Sequence, residues 1–276
     1  MVRFRLIAAS LLLARIAGAQ ASDTTPARTF LVRRDLAIAG AALGSVAALS
    51  LVDDRIARAS QRTRRKDPVT GEDLDFLSSA STKASKVNET TLTAAGILIY
   101  GAGRLFHSPL VTDVALHATE SVVLASLASQ VIRGPLGRTR PYVTHDSDQY
   151  KFRPFHGFFG DSTFDNRAFP SIHESSSMAV ATVLVMETQR RNPGATWIVA
   201  PIAFGAALIP GLARIRLDQH WTSDIAAGAF MGAFSAYKVV SYSHSHPNNR
   251  FDQLFLTATL APAPHGGFLV AFSPSF

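Results

Sequence analysis

The sequence predicts an all-α fold, a bundle of six long helices followed by a short C-terminal β-hairpin. Six apolar segments of helical length are separated by polar stretches, whereas the C-terminal tail alternates with a period of two. Hydrophobic residues make up 47% of the 276 and charged residues only 17%, a balance that excludes a disordered chain. The chain has no cysteine, which excludes a fold held together by disulfide bonds.

The six helical segments follow one another along most of the chain. The predicted helices cover residues 36–52, 91–106, 110–132, 174–186, 195–212 and 224–240. Between the third and fourth helices, residues 133–170 are irregular, because prolines and charged residues interrupt the apolar pattern. In the tail, residues 254–260 and 268–273 alternate on either side of a Gly-Gly turn. This pattern predicts the hairpin.

The N-terminus resembles an export signal. Arg3 and Arg5 precede an apolar stretch at 6–14, and small residues follow at 17–21. We therefore expect residues 1–21 to be a signal peptide and residues 22–35 to be a linker. The helical domain is predicted to span residues 36–243, and the hairpin tail residues 244–276.

The composition excludes several functions. Without cysteine there is no thiol nucleophile, no iron–sulfur cluster and no cysteine-bound zinc. The formal net charge of +7 falls to +4 once the three arginines of residues 1–21 are removed. No basic stripe with interleaved aromatic residues is present, so we expect no nucleic-acid partner.

The first motif that carries chemistry follows the third predicted helix. Arg133, Arg138 and Arg140 lie within eight residues, where Pro135 and Pro141 break the helix. Guanidinium groups bind phosphate oxygens in pairs and keep their charge at every physiological pH. The motif predicts an anion site, although a basic flank beside a membrane helix explains it equally simply.

The second motif opens the fourth helix. Ser171 and Glu174 have the spacing of a capping box, which needs no function to explain it. His173 lies in the first turn, where the positive end of the helix dipole keeps its imidazole neutral. The free N–H groups of the same turn can also bind a phosphate.

The third motif precedes the sixth helix. It runs from Arg214 through His220 to Asp224. His220 and Asp224 are four residues apart, so on a helix they share a face, and the carboxylate can hold the imidazole in one tautomer. A surface ion pair would have the same spacing.

Taken together, the three motifs resemble the signature of the type 2 phosphatidic acid phosphatase and vanadium haloperoxidase superfamily. Their patterns are Arg-x6-Arg-Pro, Pro-Ser-x-His and Arg-x5-His-x3-Asp, in that order and each at a helix end. The resemblance covers roughly residues 36–240. It implies a six-helix bundle of the acid phosphatase and haloperoxidase type, with its site at one end. It implies phosphatase chemistry that needs neither a metal nor a cofactor.

The resemblance also implies roles for individual residues. Arg133, Arg140 and Arg214 would bind the phosphate, and Ser171 and the backbone of Ile172 would complete the cradle.

Three further residues would carry the catalysis. His220 would be the nucleophile that forms a phosphohistidine, Asp224 would orient it, and His173 would serve the leaving group.

The chain departs from the family pattern at three positions. Arg133 replaces the usual lysine and keeps its charge. Ala213 stands where serine is frequent, which removes one hydrogen bond. Ile172 replaces glycine, and its branched side chain is expected to crowd the site.

The sequence favours a membrane protein, although its apolar segments are short. Three predicted helices run for 16 to 18 residues, below the ~20 needed to span a bilayer comfortably. The signal-like N-terminus predicts export, and with the resemblance it predicts an inner-membrane protein whose site faces the periplasm; a soluble periplasmic enzyme is the alternative. If all six helices span the membrane, the signal is not cleaved.

The leading prediction is a metal-independent phosphatase acting on a lipid phosphate, a lipid pyrophosphate or a small phosphate ester. The rivals are a vanadate-dependent haloperoxidase and a degenerate phosphate- or lipid-binding protein. A metal site at His244 and His246 is a weak alternative to an exposed polar loop. The substrate and the oligomeric state are not predicted.

Overall fold

A computed structural model describes residues 30–160, 162–247, 249, 252, 258–262 and 268–272 of the chain. Six of its α-helices have 17 residues or more. These long helices are α1 (Arg33–Ser50), α4 (Glu89–Leu105), α5 (Pro109–Leu136), α7 (Ile172–Arg191), α8 (Thr196–Arg216) and α9 (Thr222–Ser245). The shorter helices are α2 (Asp53–Gln61), α3 (Phe76–Ala84) and α6 (Pro141–Thr144).

The mostly helical architecture is confirmed, but the predicted count of six is too low for the described part of the chain, which has nine α-helices. The three short helices lie in polar stretches where no apolar period marks them. The six long ones coincide with the six apolar segments, and most extend beyond the predicted ends.

Helices α7 and α9 form the centre of the bundle. Gly228 and Gly232 of α9 face α7, and a methyl group at either position would overlap a backbone carbonyl oxygen, that of Ser171 or of Ser175. Two glycines one turn apart therefore let the two helix backbones approach closely. This contact fixes the start of α7 beside the start of α9.

The outer helices present apolar surface away from this core. Trp197 and Ile202 on α8, Leu98 on α4 and Leu127 on α5 are largely exposed. Pro109–Leu136 and Pro193–Arg216 are long and apolar enough to cross a membrane. The pair α1 and α2, bent by 52°, adds a third candidate if it counts as one span. Pro109–Leu136 and Pro193–Arg216 are both longer than the corresponding predicted segments, 110–132 and 195–212.

Two strands lie in the tail, β1 (Ala258–Pro262) and β2 (Phe268–Phe272). They pair antiparallel, with Leu260 opposite Val270. The connecting residues 263–267 lie outside the described residues, so the hairpin turn stays a prediction.

The predicted domain boundaries are partly inside helices. Helix α1 begins at Arg33, within the predicted linker, and α9 runs to Ser245, past the predicted end of the helical domain at 243. The predicted signal peptide lies outside the described residues.

Candidate active site

The end of α5 turns the first motif back onto the bundle. Gly137 has a left-handed backbone (φ 63°), and a side chain there would overlap the carbonyl oxygen of Arg153. Glycine adopts this conformation without strain, so the helix ends at this point. The turn leaves Arg133 on the last turn of α5 and carries Arg138 and Arg140 into buried positions.

Arg138, which the family pattern does not single out, ties the site together. Its guanidinium donates to Asp224 Oδ1 at 2.6 Å and to Asp53 Oδ2 at 2.8 Å, and all three side chains are buried. Asp53 in turn accepts from the backbone N–H of Ser223 at 2.8 Å. The start of α2 is thereby joined to the start of α9. Only the structure identifies this positioning group, because Asp53 lies 85 residues from Arg138 in sequence.

The start of α7 differs from the expected capping box. Ser171 is the N-cap, but its hydroxyl makes no cap hydrogen bond and is buried without a partner. Both carboxylate oxygens of Glu174 are also buried without a hydrogen-bond partner. The predicted capping box is therefore wrong: Ser171 and Glu174 have its spacing, but their side chains do not cap the helix. The first N–H groups of α7 and the Ser171 hydroxyl are therefore free to bind a ligand.

The third motif is also arranged differently from the prediction. Helix α9 begins at Thr222, so His220 precedes the helix and does not share a helical face with Asp224. His220 Nδ1 donates to the carbonyl oxygen of Ala168 at 2.7 Å, whereas Asp224 Oδ2 lies 3.6 Å away, beyond hydrogen-bond distance. The oxygens of Asp224 accept instead from Arg138 and from the backbone N–H of Trp221.

This geometry fixes the tautomer of His220. A carbonyl oxygen can only accept, so Nδ1 carries the proton and Nε2 keeps its lone pair. The backbone of Ala168, rather than the carboxylate of Asp224, therefore orients the ring.

The three predicted phosphate-binding arginines converge on the two histidines. Gln219 links two of them, because its side-chain oxygen accepts from Arg140 at 3.0 Å and from Arg214 at 3.2 Å. Within the described residues no carboxylate hydrogen bonds to Arg133, Arg140 or Arg214. The Nε atoms of Arg133 and Arg214 are buried without a partner. The carboxylate of Glu89 interacts electrostatically with Arg133 and Arg214, and the three guanidiniums together still carry an excess of donors and of positive charge.

Burial and this positive charge act on the neighbouring titratable groups. Burial, followed by repulsion from Arg214, Arg140 and Arg133, lowers the pKa of His173 to about 3. The same causes hold the pKa of His220 well below its ordinary value, and burial lowers the pKa of Arg140 to about 9. Both imidazoles are therefore neutral at pH 7 before an anion binds.

The structure also locates the departures from the family pattern. Ile172 is the first residue of α7 and is 1% exposed. A helical backbone at Ile172 accommodates any side chain without strain, so glycine is not required there. The side chain of Ile172 lies in the core, so the structure gives no support to the expectation that it crowds the phosphate site. Ala213 is likewise buried.

An exposed aromatic loop lies beside the site. It is anchored by Arg140, which donates to the carbonyl oxygen of Phe164 at 2.9 Å, and by Phe155, whose N–H donates to the carbonyl oxygen of Pro135 at 2.9 Å. Its exposed aromatic residues are Tyr150, Phe152, Phe155, Phe158, Phe159 and Phe164. A loop of this composition is suited to contact with lipid.

Comparison with known proteins agrees with the three motifs. The sequence model of the PAP2 superfamily matches residues 114–247, which include all eight predicted site residues. This helical segment belongs to the PAP2 superfamily. The family assignment made from the motifs is thereby confirmed.

The curated relatives of this chain include two lipid A 1-phosphatases. A lipid A 1-phosphatase of Rhizobium etli is 29% identical over 134 residues, which are 48% of this chain and 52% of the relative. A lipid A 1-phosphatase of Rhizobium johnstonii is 31% identical over 114 residues, 41% of each chain. The chain spans about half the length of the curated relatives it matches.

A solved structure shares the PAP2 fold. It is a transmembrane PAP2 type phosphatidylglycerolphosphate phosphatase from Bacillus subtilis, with a TM-score of 0.55 and 21% identity. The alignment covers 78% of this chain and 98% of that one. Among the described residues of this chain, two helical segments are long and apolar enough to cross a membrane.

Proposed function

We propose that this protein is a metal-independent phosphatase that hydrolyses a lipid phosphate through a phosphohistidine on His220. The observation that carries the proposal is the group of Arg133, Arg140 and Arg214 around two neutral imidazoles, without a carboxylate bonded to the guanidiniums. A phosphate group supplies the missing acceptors and the missing negative charge. Three guanidiniums also stabilise the charge of a five-coordinate phosphorus, so the arginines do what a metal does in other phosphatases.

The tautomer of His220 determines which ring nitrogen attacks the phosphate. Nε2 attacks phosphorus while Nδ1–H stays bonded to the carbonyl of Ala168, and the bond from phosphorus to the lipid oxygen breaks. The ring becomes positive in this step. Asp224 supports that charge from 3.6 Å, and Arg138 and Asp53 hold Asp224 in place.

His173 handles the proton at the leaving group. Burial is the larger cause of its low pKa and the arginine charges are the smaller one; a bound phosphate neutralises the arginines and gives the ring an anionic partner, so His173 takes a proton from solvent as substrate binds and gives it to the leaving oxygen. Water then attacks the phosphohistidine and passes a proton to His173, which releases inorganic phosphate. Ser171 and the backbone N–H of Ile172 bind the phosphate oxygens at the start of α7.

The surroundings favour a lipid over a small soluble ester. The aromatic loop at 150–164 adjoins the cationic group, because Arg140 donates to the carbonyl oxygen of Phe164, and its exposed rings suit contact with an acyl chain. The lipid A 1-phosphatases among the relatives point to the same substrate class.

We propose further that the site faces the periplasm. A cysteine at the exposed Ser147 on this cysteine-free chain should react with an impermeant maleimide in intact spheroplasts. Labelling that requires lysis would place the loop in the cytoplasm.

The function is tested on purified protein with lipid A 1-phosphate, phosphatidylglycerol phosphate, phosphatidate and p-nitrophenyl phosphate. We expect phosphate release that is strongest on a lipid, that survives EDTA and that vanadate inhibits. A ³²P-labelled lipid should leave acid-labile, alkali-stable phosphate on the wild type and on His173→Ala, and none on His220→Ala. If the protein binds phosphate but hydrolyses none of the substrates, it is the degenerate binding protein. If it oxidises bromide with peroxide and vanadate, it is the haloperoxidase.

A further inference from the structure

A second cluster of titratable side chains lies at the other end of the bundle. Asp113 and His117 on α5, Glu187 on α7 and His244 on α9 each offer a ligand atom, and these atoms all lie within 4.8 Å of one another. On α7, fourteen residues separate His173 from Glu187, about 21 Å at 1.5 Å per residue. The cluster is therefore separate from the proposed catalytic site.

The histidine pair that the sequence offered as a weak metal site is not what forms this cluster. His244 Nε2 lies 2.7 Å from Glu187 Oε1, whereas the ring of His246 stacks on Tyr242. Only one of the two histidines faces the cluster, and its partners come from α5 and α7.

The carboxylates are already oriented toward the imidazoles. Arg191 lies 2.6 Å from Asp113 Oδ2 and 3.2 Å from Glu187 Oε2. The other oxygens face inward, Glu187 Oε1 at 3.1 Å from His117 Nδ1 and Asp113 Oδ1 at 3.6 Å from His117 Nε2. Outer hydrogen bonds that aim the ligands in this way are characteristic of metal sites.

His117 is prepared for coordination through either nitrogen. Nδ1 is next to Glu187, and Nε2 lies 2.9 Å from the hydroxyl of Ser243. The nitrogen that does not bind a metal therefore keeps a hydrogen-bond partner, which fixes the tautomer. The His117 ring is 1% exposed and Glu187 3%, whereas Asp113 and His244 are 25% and 22% exposed, so the cluster is buried on one side and open to solvent on the other.

Charge and spacing favour a divalent cation. Asp113 and Glu187 share one guanidinium, that of Arg191, and Glu120 lies near enough to interact with His117 and Asp113, so carboxyl groups outnumber the guanidinium around the cluster. Two imidazoles and two carboxylates form a donor set that suits zinc. A tetrahedral zinc ion holds its ligands about 3.4 Å apart, and with one ligand atom taken from each residue the four atoms here all lie within 4.8 Å of one another.

We propose that Asp113, His117, Glu187 and His244 bind one divalent transition-metal ion, zinc by preference, which joins α5, α7 and α9 at the end of the bundle opposite the phosphatase site. With four protein ligands the coordination shell is complete, so the ion is structural and leaves no position for a substrate. Its removal should loosen the bundle without stopping the chemistry at His220.

The test uses the full chain, purified without a polyhistidine tag, in the wild-type form and as His244→Gln. The matched control is His246→Gln, which removes the neighbouring histidine and leaves the cluster intact. After stripping with EDTA and dialysis against zinc, we expect about one zinc per wild-type and control chain by elemental analysis. We expect at least tenfold weaker binding by His244→Gln. With zinc 100-fold above the Kd, the wild-type Tm should rise by about 5 °C or more.

Cobalt gives a readout that does not depend on stability. Substituted wild-type protein should show the intense visible bands of tetrahedral Co²⁺, and His244→Gln should lose them. No retained metal and no shift in Tm in the wild type would overturn the proposal and leave a proton-sharing network. Equal loss of binding in His246→Gln would move the site to the end of α9. Phosphatase activity that survives EDTA while Tm falls separates this site from the catalytic one.

Discussion

Buried charged side chains have different partners at the two ends of α7. Near His173, cations gather around imidazoles, and Nε atoms of Arg133 and Arg214 are left without partners. Near Glu187, the carboxylates each have a guanidinium on one oxygen and an imidazole on the other. At the first end, guanidinium groups keep N–H donors without acceptors, whereas at the second end both carboxylates of the cluster accept from Arg191.

This difference teaches how unsatisfied groups indicate function. Buried polar atoms are almost always hydrogen-bonded in native proteins, so several unpartnered donors in one place need a reason. An anionic ligand is such a reason at the first end. At the second end, Glu187 is bonded to His117, His244 and Arg191 on three sides, which favours a structural role, in agreement with a metal that joins helices.

The largest expected effect tests whether the chemistry belongs to the first end. His220→Ala should lower kcat by about 10³-fold or more, because the attacking nitrogen is lost. His173→Ala should cost about 10²-fold on a lipid ester and less than about tenfold on p-nitrophenyl phosphate, whose leaving group needs little protonation. Steady-state assays on both substrates measure this. A trapped phosphoenzyme that persists in His220→Ala but not in His173→Ala would exchange the two roles.

The second prediction contrasts unpartnered and partnered arginines. Arg214→Gln should lower kcat about 10²- to 10³-fold while Tm stays level or rises, because one of several mutually repelling cations is removed. Arg191→Gln, at the other end and 40% exposed, should leave kcat unchanged and cost at most about 1 kcal/mol of stability.

The third prediction uses Arg138 to test whether an arginine serves catalysis because it lies at the catalytic end or because it has no carboxylate partner. It lies at the catalytic end but is bonded to Asp53 and Asp224, and Arg138→Gln leaves both carboxylates buried and unpaired. We expect a loss of about 3–5 kcal/mol in the free energy of unfolding, measured by thermal or denaturant unfolding in detergent. A stable but inactive Arg138→Gln would show that location matters more than pairing.

The smallest effect concerns the helix contact on which both ends depend. Gly232→Ala forces a methyl group against the carbonyl oxygen of Ser175, so α7 and α9 must separate slightly, at a cost of about 1–3 kcal/mol. The control is Gly205→Ala on α8, where nothing lies within 4 Å and stability should be unchanged or higher by up to about 1 kcal/mol. Equal Tm values for the two variants would contradict the close contact between the helices.

Much of the site could be predicted from the sequence because its motifs are local. Arg133 and Arg140, Ser171 and His173, and Arg214 and His220 each lie within eight residues, and their spacing identified the family. The six long helices were predictable for a similar reason, since each coincides with a continuous apolar segment of helical length in the sequence. The short helices α2, α3 and α6 were missed because their sequences are polar or broken by proline.

Other features depended on which distant residues meet. The sequence by itself determined the helical class, the family and the residues that gather at the proposed phosphate site. Only the tertiary structure decided that Ala168 rather than Asp224 bonds to His220, that Arg138 is a structural arginine, and that His244 meets Glu187 and His117. The physical reason is that a spacing rule gives the face of one helix, whereas the partner of a buried polar atom is set by long-range packing.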